Sequence, residues 1–270
     1  MAKKPVVNKI NKKTSEGKKK ITISGPKIEL KALLDAGCHF GHQSQRWNPR
    51  MANYLYGVRD GVHIFDLAKT KEGLEKAIEF AKEITAKNGK IIFVGTKRQS
   101  ESIIKEEAIR AKMPFVSERW LGGILTNWEG IKKSIKKLKD LKEQKASGEL
   151  TKKFTKKENI LFDREISRLE RFFGGLVDLS ELPAALFVID VKKEQAALRE
   201  ATKKGVPVIA VVDSNASPDA VDYIIPANDD AIGSVKLIVS TLAEAMIQGA
   251  QIFEKNQKTE KTVKDDKIEA

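Results

Sequence analysis

At residues 185–190 the sequence runs Ala185-Leu-Phe-Val-Ile-Asp190, an unbroken apolar stretch that ends on a carboxylate. The arrangement recurs, after a stretch with helical periodicity, as Val206-Pro-Val-Ile-Ala-Val-Val-Asp213. A third buried strand is predicted earlier in the chain, at Lys90-Ile-Ile-Phe-Val-Gly95. Continuous apolar strands separated by amphipathic helices are typical of a parallel sheet covered on both faces. The sequence therefore predicts a doubly wound α/β fold.

Strand and helix patterns alternate around these three strands. Further short strands are predicted at Val62-His-Ile-Phe-Asp66, Pro114-Phe-Val-Ser117 and Asp222-Tyr-Ile-Ile225. The stretch from Cys38 to Arg50 is predicted to be an irregular polar and aromatic loop. The predicted helices run from Glu29 to Leu34, from Thr70 to Lys87, from about Gln99 to Lys112, from the end of the 185–190 strand to about Lys203, and from Asn228 to about Gln248.

Between Asn127 and Gly174 the pattern changes to two narrow apolar stripes with charged residues on the other helix faces. The stripes are Ile131, Ile135 and Leu138, and Phe162, Ile166, Leu169 and Phe173. Steps of three and four residues are those of a coiled-coil seam, so we predict an inserted antiparallel coiled-coil helical hairpin. Two ordinary helices packed on the core are the alternative.

These patterns divide the chain into four parts. Residues 1–29 are predicted to be a flexible basic arm, and residues 251–270 a flexible tail. The α/β domain is assigned to residues 30–126 and 175–250, and the projecting hairpin to 127–174.

Composition excludes several classes of protein. Hydrophobic residues make up 41% of the 270 residues, which is enough for one sizeable core. A single cysteine, Cys38, excludes a disulfide scaffold and a multi-cysteine zinc module. The amino terminus has no apolar segment typical of a secretory signal, and no apolar run approaches the roughly 20 residues that cross a bilayer. We therefore expect a soluble protein of a reducing compartment.

The net charge of +13 is concentrated in two segments. Residues 1–30 hold nine Lys and two Glu, and residues 131–173 hold 14 cations and seven acids, so each segment carries +7. Such blocks are typical of proteins that bind a polyanion, because each cation placed on a phosphate releases a counterion. Neither block has the strongly apolar helix face that an interfacial membrane helix needs. The charge pattern therefore favours nucleic acid over a membrane.

Motifs of catalysis are missing. The turn after Asp66 has no glycine, and no P-loop, G-x-S-x-G or H-E-x-x-H pattern occurs. Asp190 and Asp213 could act as a general acid and base, but no nucleophile or phosphate loop accompanies them. We expect no enzymatic activity and no cofactor.

The turn Gly95-Thr-Lys-Arg-Gln-Ser100 follows a predicted strand and precedes a helix. Ligands of open α/β sheets meet the loops at the carboxyl ends of the strands. Lys97 and Arg98 are therefore candidates to bind a phosphate beside the helix amino terminus. A solvated basic turn is the alternative.

An arginine and two tryptophans lie together in Arg119-Trp-Leu-Gly-Gly-Ile-Leu-Thr-Asn-Trp128. Arg119 and Trp120 combine charge with a stacking surface, which suits unpaired bases. The alternative is that Trp120 and Trp128 pack at the root of the hairpin.

His39 and His42 share a loop with Cys38, and Asp190 and Asp213 end two strands that could lie near it. A bound metal is chemically possible at such a cluster, but an isolated histidine pair is weak evidence for one. Either histidine could instead hydrogen-bond the strand-end carboxylates and so orient the loop. We predict no metal.

Several long blocks resemble the bacterial small-ribosomal-subunit protein 2 family, in order from about Leu30 to Ala250. The blocks are Leu33-Leu-Asp-Ala-Gly-Cys-His-Phe-Gly-His-Gln43, Arg46-Trp-Asn-Pro-Arg-Met51, Phe93-Val-Gly-Thr-Lys-Arg98, Arg119 to Trp128, Pro183-Ala-Ala-Leu-Phe-Val-Ile-Asp190, Val211-Val-Asp-Ser-Asn215 and Ile225-Pro-Ala-Asn-Asp-Asp-Ala-Ile232. The resemblance implies a flavodoxin-like domain with a projecting hairpin. It also implies a non-catalytic, cytoplasmic protein of the ribosome that contacts small-subunit ribosomal RNA and neighbouring ribosomal proteins and helps attach the large messenger-binding ribosomal protein 1.

Carried over to this sequence, the resemblance supports basic and aromatic loop residues, with lysines of the hairpin, as RNA contacts. The candidates are Arg46, Trp47, Arg50, Arg59, Lys97, Arg98, Arg119, Trp120, Lys132, Lys133, Lys136 and Lys137. We expect no membrane partner and no small-molecule substrate. The rival hypothesis is an α/β protein that binds a phosphorylated metabolite at the loops around Gly95–Arg98 and Asp213.

Overall fold

A computed structural model describes residues 28–265 of the chain, so the predicted arm at 1–29 lies almost entirely outside the described residues. The helices of the described part are α1 (Leu30–Asp35), α2 (Leu67–Ala86), α3 (Glu101–Arg110), α4 (Trp128–Ala146), α5 (Glu149–Lys153), α6 (Lys156–Phe173), α7 (Gln195–Lys204) and α8 (Ile232–Asp265). The strands are β1 (Phe40–Gln43), β2 (Leu55–Arg59), β3 (Val62–Phe65), β4 (Ile91–Val94), β5 (Phe115–Val116), β6 (Ala185–Ile189), β7 (Val208–Val212) and β8 (Tyr223–Pro226).

Five strands form one parallel sheet in the order β5-β4-β6-β7-β8. Every residue of β4, β6 and β7 is buried, as their unbroken apolar sequences predict. The predicted α/β class is therefore confirmed.

Alternate side chains of these strands belong to two separate clusters of buried residues. Phe93 and Phe187 meet edge to face, with ring centroids 5.3 Å apart, in the cluster that includes residues of α2, α3 and α8. Val94 and Val188 belong to the other cluster, which includes residues of α4, α6 and α7. The sheet thus buries apolar side chains against helices through both of its faces.

The amino-terminal region differs from the prediction. The segment that we predicted as an irregular loop contains β1, and β3 does not join the parallel sheet. Strands β1, β3 and β2 instead form a separate three-stranded antiparallel sheet, in that order. Its strands are short and partly exposed, so their sequences lack the long apolar runs that identify the main sheet.

A tight turn at Asp60 and Gly61 joins β2 to β3. Both residues have positive φ angles, 52° and 76°. Asp-Gly is a preferred pair for such two-residue hairpin turns, because glycine takes this conformation without steric cost. The dipeptide was a signal for the hairpin in the sequence.

The inserted segment consists of α4, the short α5 and α6. The predicted apolar stripes are buried except for Phe162, which is half-buried. Gly148 has a φ of 73° where α4 ends, and Thr155 begins α6 with a reciprocal capping box formed with Glu158. Ion pairs link α4 to α6, with Lys142 Nζ 2.6 Å from Glu170 Oε1 and Lys145 Nζ 2.6 Å from Asp163 Oδ1.

The last helix begins and ends later than predicted. Asn228 lies just before it, and its Oδ1 accepts from the backbone N–H groups of Asp230 and Ala231 at 2.9 and 3.1 Å. The helix continues past Gln248 to Asp265. Among the helices of residues 28–265, none combines the length and apolar character needed to span a membrane.

Candidate nucleic-acid interface

A group of charged side chains lies at the carboxyl ends of β4, β6 and β8. The Lys97 ammonium lies 3.0 Å from Asp190 Oδ2, 2.7 Å from Asp229 Oδ1 and 2.8 Å from Asp230 Oδ1. Parallel strands end at the same edge of a sheet, which is why residues so distant in sequence meet here. We call Lys97, Asp190, Asp229 and Asp230 the strand-end cluster. The predicted phosphate ligand Lys97 is therefore turned toward carboxylates of its own chain.

Burial and like charge act strongly on this cluster. Burial works against the charge of Lys97, but the hydrogen bonds and charges of Asp229, Asp230 and Asp190 outweigh burial and raise the lysine pKa. Burial, followed by the charges of Asp213 and Asp190, raises the pKa of Asp229 to about 7. Both shifts reflect the composition of the cluster, which holds three carboxylates and one cation.

His42 joins the small antiparallel sheet to the main sheet. Its Nδ1 lies 2.9 Å from Asp213 Oδ1, its Nε2 lies 2.8 Å from Asn215 Nδ2, and its backbone N–H donates to Ser214 Oγ at 2.8 Å. The hydrogen bond to Asp213 raises the pKa of His42, although burial opposes this. The alternative in which a strand-end carboxylate orients the loop is confirmed for His42.

His39 does not share this role. Its Nδ1 is buried and has no hydrogen-bond partner among residues 28–265. In the part of the chain that the structure describes, no group of three or more His, Cys, Asp or Glu side chains is arranged to hold a metal ion.

The loop after β4 uses its phosphate-binding groups internally. The backbone N–H of Thr96 donates to Glu194 Oε1 at 3.3 Å, and the Thr96 hydroxyl donates to the same oxygen. Glu194 is buried, and burial raises its pKa. Because carboxylates surround Lys97, an anionic ligand would be repelled at this point between the strand ends, and the metabolite hypothesis gains no support.

Glu200 of α7 holds the loop that follows β5. Its carboxylate accepts from the backbone N–H groups of Gly123, Leu125 and Thr126 at 2.7, 3.0 and 3.0 Å. It also accepts from the Thr126 hydroxyl at 3.0 Å and from the indole N–H of Trp120 at 3.1 Å. Burial alone would raise the pKa of Glu200, but these hydrogen bonds outweigh burial and hold the pKa below its usual range.

The two tryptophans of this loop pack inside the protein. Trp120 and Trp128 are both buried in the cluster that contains the hairpin residues. Trp120 therefore packs at the root of the hairpin, which was the alternative to stacking on an unpaired base. Arg119, directly before it, is exposed.

The small sheet and the loop after β1 carry four candidates, all on the surface. Arg46 and Arg59 are exposed. Trp47 is partly exposed, and its ring centroid lies 4.8 Å from that of His63. Arg50 is exposed and forms an ion pair with Asp219.

The hairpin lysines fall into two groups. Lys133 and Lys136 are exposed, and within residues 28–265 neither has a partner. Lys132 lies over the ring of Trp128, 5.8 Å from its centroid, and Lys137 Nζ lies 2.9 Å from Glu165 Oε1. All four are on α4, whereas Arg98 and Arg119 follow the neighbouring strands β4 and β5 at one edge of the main sheet.

Three features of the site escaped sequence reasoning. Asp229 and Asp230 follow β8 as Asp190 follows β6, so the strand-end rule could have found them. Glu200 lies in a helix with no distinguishing pattern, and no signal pointed to it. The exposed Tyr56 lies in a strand that was not predicted.

Comparison with known protein families gives a match over most of the chain. The family model described as ribosomal protein S2 matches residues 33–249. The chain belongs to the ribosomal protein S2 family. Members are structural proteins of the small ribosomal subunit, so the chain is a ribosomal protein, a component of a ribonucleoprotein that works in translation. The family is not an enzyme family, and the resemblance seen in the sequence is confirmed.

Proposed function

We propose that this chain is a scaffold protein that binds small-subunit ribosomal RNA chiefly through phosphate charge and shape, with little base readout. The observation that carries the proposal is the contrast between inward and outward cations. Arg46, Arg98, Arg119, Lys133 and Lys136 are exposed, and within residues 28–265 none of them has an acidic partner. Cations in such positions are available to phosphates.

The proposed contact set is narrower than the sequence suggested. Lys97 is left out because three carboxylates surround it, and Trp120 because it is buried and bonded to Glu200. The proposed contacts are Arg46, Trp47, Arg50, Arg59, Arg98, Arg119, Lys132, Lys133, Lys136 and Lys137.

We also propose the finer architecture that the resemblance implies. The strand order β5-β4-β6-β7-β8 supports a doubly wound, flavodoxin-like sheet. Along the chain, β4 is the first strand of this sheet, and it lies between the second, β5, and the third, β6. The heptad-like stripes and the ion pairs between α4 and α6 support an antiparallel coiled coil at 127–174. The α/β domain would then comprise 30–126 and 175–250.

The remaining parts of the proposal rest on family membership. We propose a cytoplasmic location on the ribosome, contacts with neighbouring small-subunit proteins, and a part in attaching the large messenger-binding ribosomal protein 1. Residues 251–265 belong to α8, so this segment is a helix and not the flexible tail that the sequence predicted.

Sedimentation of lysate through sucrose gradients at low and high salt tests the proposal. We expect the chain to sediment with small subunits and to be released as salt rises, because phosphate contacts weaken steeply with salt. A chain that sediments slowly and free at every salt concentration would contradict the proposal. A rise in melting temperature with nucleotides or sugar phosphates would then favour the metabolite hypothesis.

A further inference from the structure

The small antiparallel sheet has an open face. Phe40 pairs with Ile64, and Arg59 pairs with Val62, so these residues lie on the same face because side chains alternate along a strand. Phe40 is 49% exposed. Gly57 stands opposite Ile64, and a Cβ built on it would have no atom within 4 Å. We call this the outer face. It is flat where Gly57 lies, and a planar group could approach it.

A β-bulge places Tyr56 beside this face. Leu55 pairs with Phe65 and Gly57 with Ile64, so Tyr56 has no opposite residue on β3. Bulges redirect a side chain and are frequent next to functional sites. Tyr56 is 83% exposed. A tyrosine ring in a core buries a large area, whereas the exposed ring of Tyr56 buries little area and therefore contributes little to folding.

The hairpin that carries Tyr56 also carries an exposed arginine. Arg59 is three residues further along the hairpin, and its side chain is 85% exposed. Arg46, in the loop after β1, is also exposed. The acid nearest to Arg59 is Asp60, whose Oδ2 lies 3.8 Å from Arg59 Nε and whose side chain is as open to water. An exposed aromatic ring with an exposed arginine on the same strand is a combination that binds unpaired nucleotides.

We propose that the outer face and Tyr56 bind an unpaired stretch of RNA, with Tyr56 stacking on a base and Arg59 contacting a phosphate. This inference rests on the proposed function, because it names the kind of RNA that this part of the surface takes. It predicts a contact that is insensitive to salt at Tyr56 beside one that is sensitive to salt at Arg59.

The test is binding of the full chain to small subunits stripped of this protein, measured over a range of salt concentrations. Tyr56→Ala is expected to weaken binding at least about fivefold without changing the salt slope, since stacking one base is worth roughly 1–3 kcal/mol, and 1.4 kcal/mol is tenfold. Tyr56→Phe keeps a ring and should bind within about twofold of the wild type. Val58→Ala, in the same strand, is the matched control and should do the same. Arg59→Ala should lower the slope by about one ion.

The possible outcomes distinguish a failure of this inference from a failure of the proposed function on which it rests. Failure of the wild type to bind the stripped subunits would refute both. Wild-type binding with an unchanged Tyr56→Ala affinity would refute the outer face alone. Ultraviolet cross-linking of the reconstituted subunit should join Tyr56 to a nucleotide. Cross-links from the β2–β3 hairpin to protein only would overturn the assignment to RNA.

Discussion

The strand-end cluster and the outer side of α4 both contain lysines, but their surroundings are opposite. Lys97 has carboxylate oxygens of Asp190, Asp229 and Asp230 within 3.0 Å, whereas Lys133 and Lys136 face solvent with no partner among the described residues. Removal of Lys97 would leave its carboxylates without a counterion, whereas the lysines of α4 leave charge open to an anion. We therefore predict two distinct roles for positive charge in one chain, set by the immediate neighbours of each cation.

The largest expected effect comes from removing the half-buried cation of the strand-end cluster. Lys97→Met should lower the free energy of unfolding by about 3 kcal/mol, because it leaves three carboxylates together without their counterion. Urea unfolding measures this change. Lys139→Met makes the same substitution at an exposed site on α4 and should change stability by less than about 0.5 kcal/mol. Equal effects of the two substitutions would remove the distinction between the regions.

A second prediction concerns the carboxylate that holds the loop after β5. Glu200→Ala should cost about 2 kcal/mol, since it removes five hydrogen bonds and leaves backbone donors to solvent that reaches this half-buried site. Urea unfolding again gives the value. The control is Lys204→Ala, an exposed position at the end of the same helix, which should be nearly neutral. Loss of less than about 0.5 kcal/mol in Glu200→Ala would contradict this role.

The strand-end cluster also predicts a dependence of stability on pH. The pKa of Asp229 is raised from 3.8 to about 7, so the folded chain keeps a proton that the unfolded chain releases between these values. The free energy of unfolding should therefore fall as pH rises through this window, by the order of 1 kcal/mol or more. His42, whose pKa is also raised, acts in the same direction above its ordinary value.

Unfolding curves collected from pH 5 to pH 8 test this dependence. Asp229→Asn should flatten the fall, because it removes the titrating group and keeps an oxygen for Lys97. The slope that remains would belong to the other groups whose pKa values are raised, His42 and Glu194. An Asp229→Asn profile as steep as that of the wild type would place the titration elsewhere.

The two regions also differ in how much of their structure could be predicted from the sequence. Unbroken apolar runs predicted the strands of the parallel sheet, and apolar stripes predicted the two helices of the inserted segment. The small antiparallel sheet escaped because its strands are short and half exposed, although Asp60-Gly61 marked its turn. For the site, the strand-end rule correctly located Lys97, but not which way it points. That direction depends on Asp229, which is 132 residues away and arrives only when β8 joins the sheet.

The smallest effect on stability is expected next to the largest, at Arg98. This residue adjoins Lys97 but is exposed, so Arg98→Ala should change the free energy of unfolding by less than about 0.5 kcal/mol. Its effect should appear in binding to stripped small subunits, where each lost phosphate contact reduces the slope of log affinity against log salt by roughly 0.7–0.9. Parallel urea and salt titrations of Arg98→Ala and Lys97→Met would then give opposite results for two adjacent cations. A wild-type salt slope in Arg98→Ala would show that exposure and lack of a partner are not sufficient to identify an RNA contact in this chain.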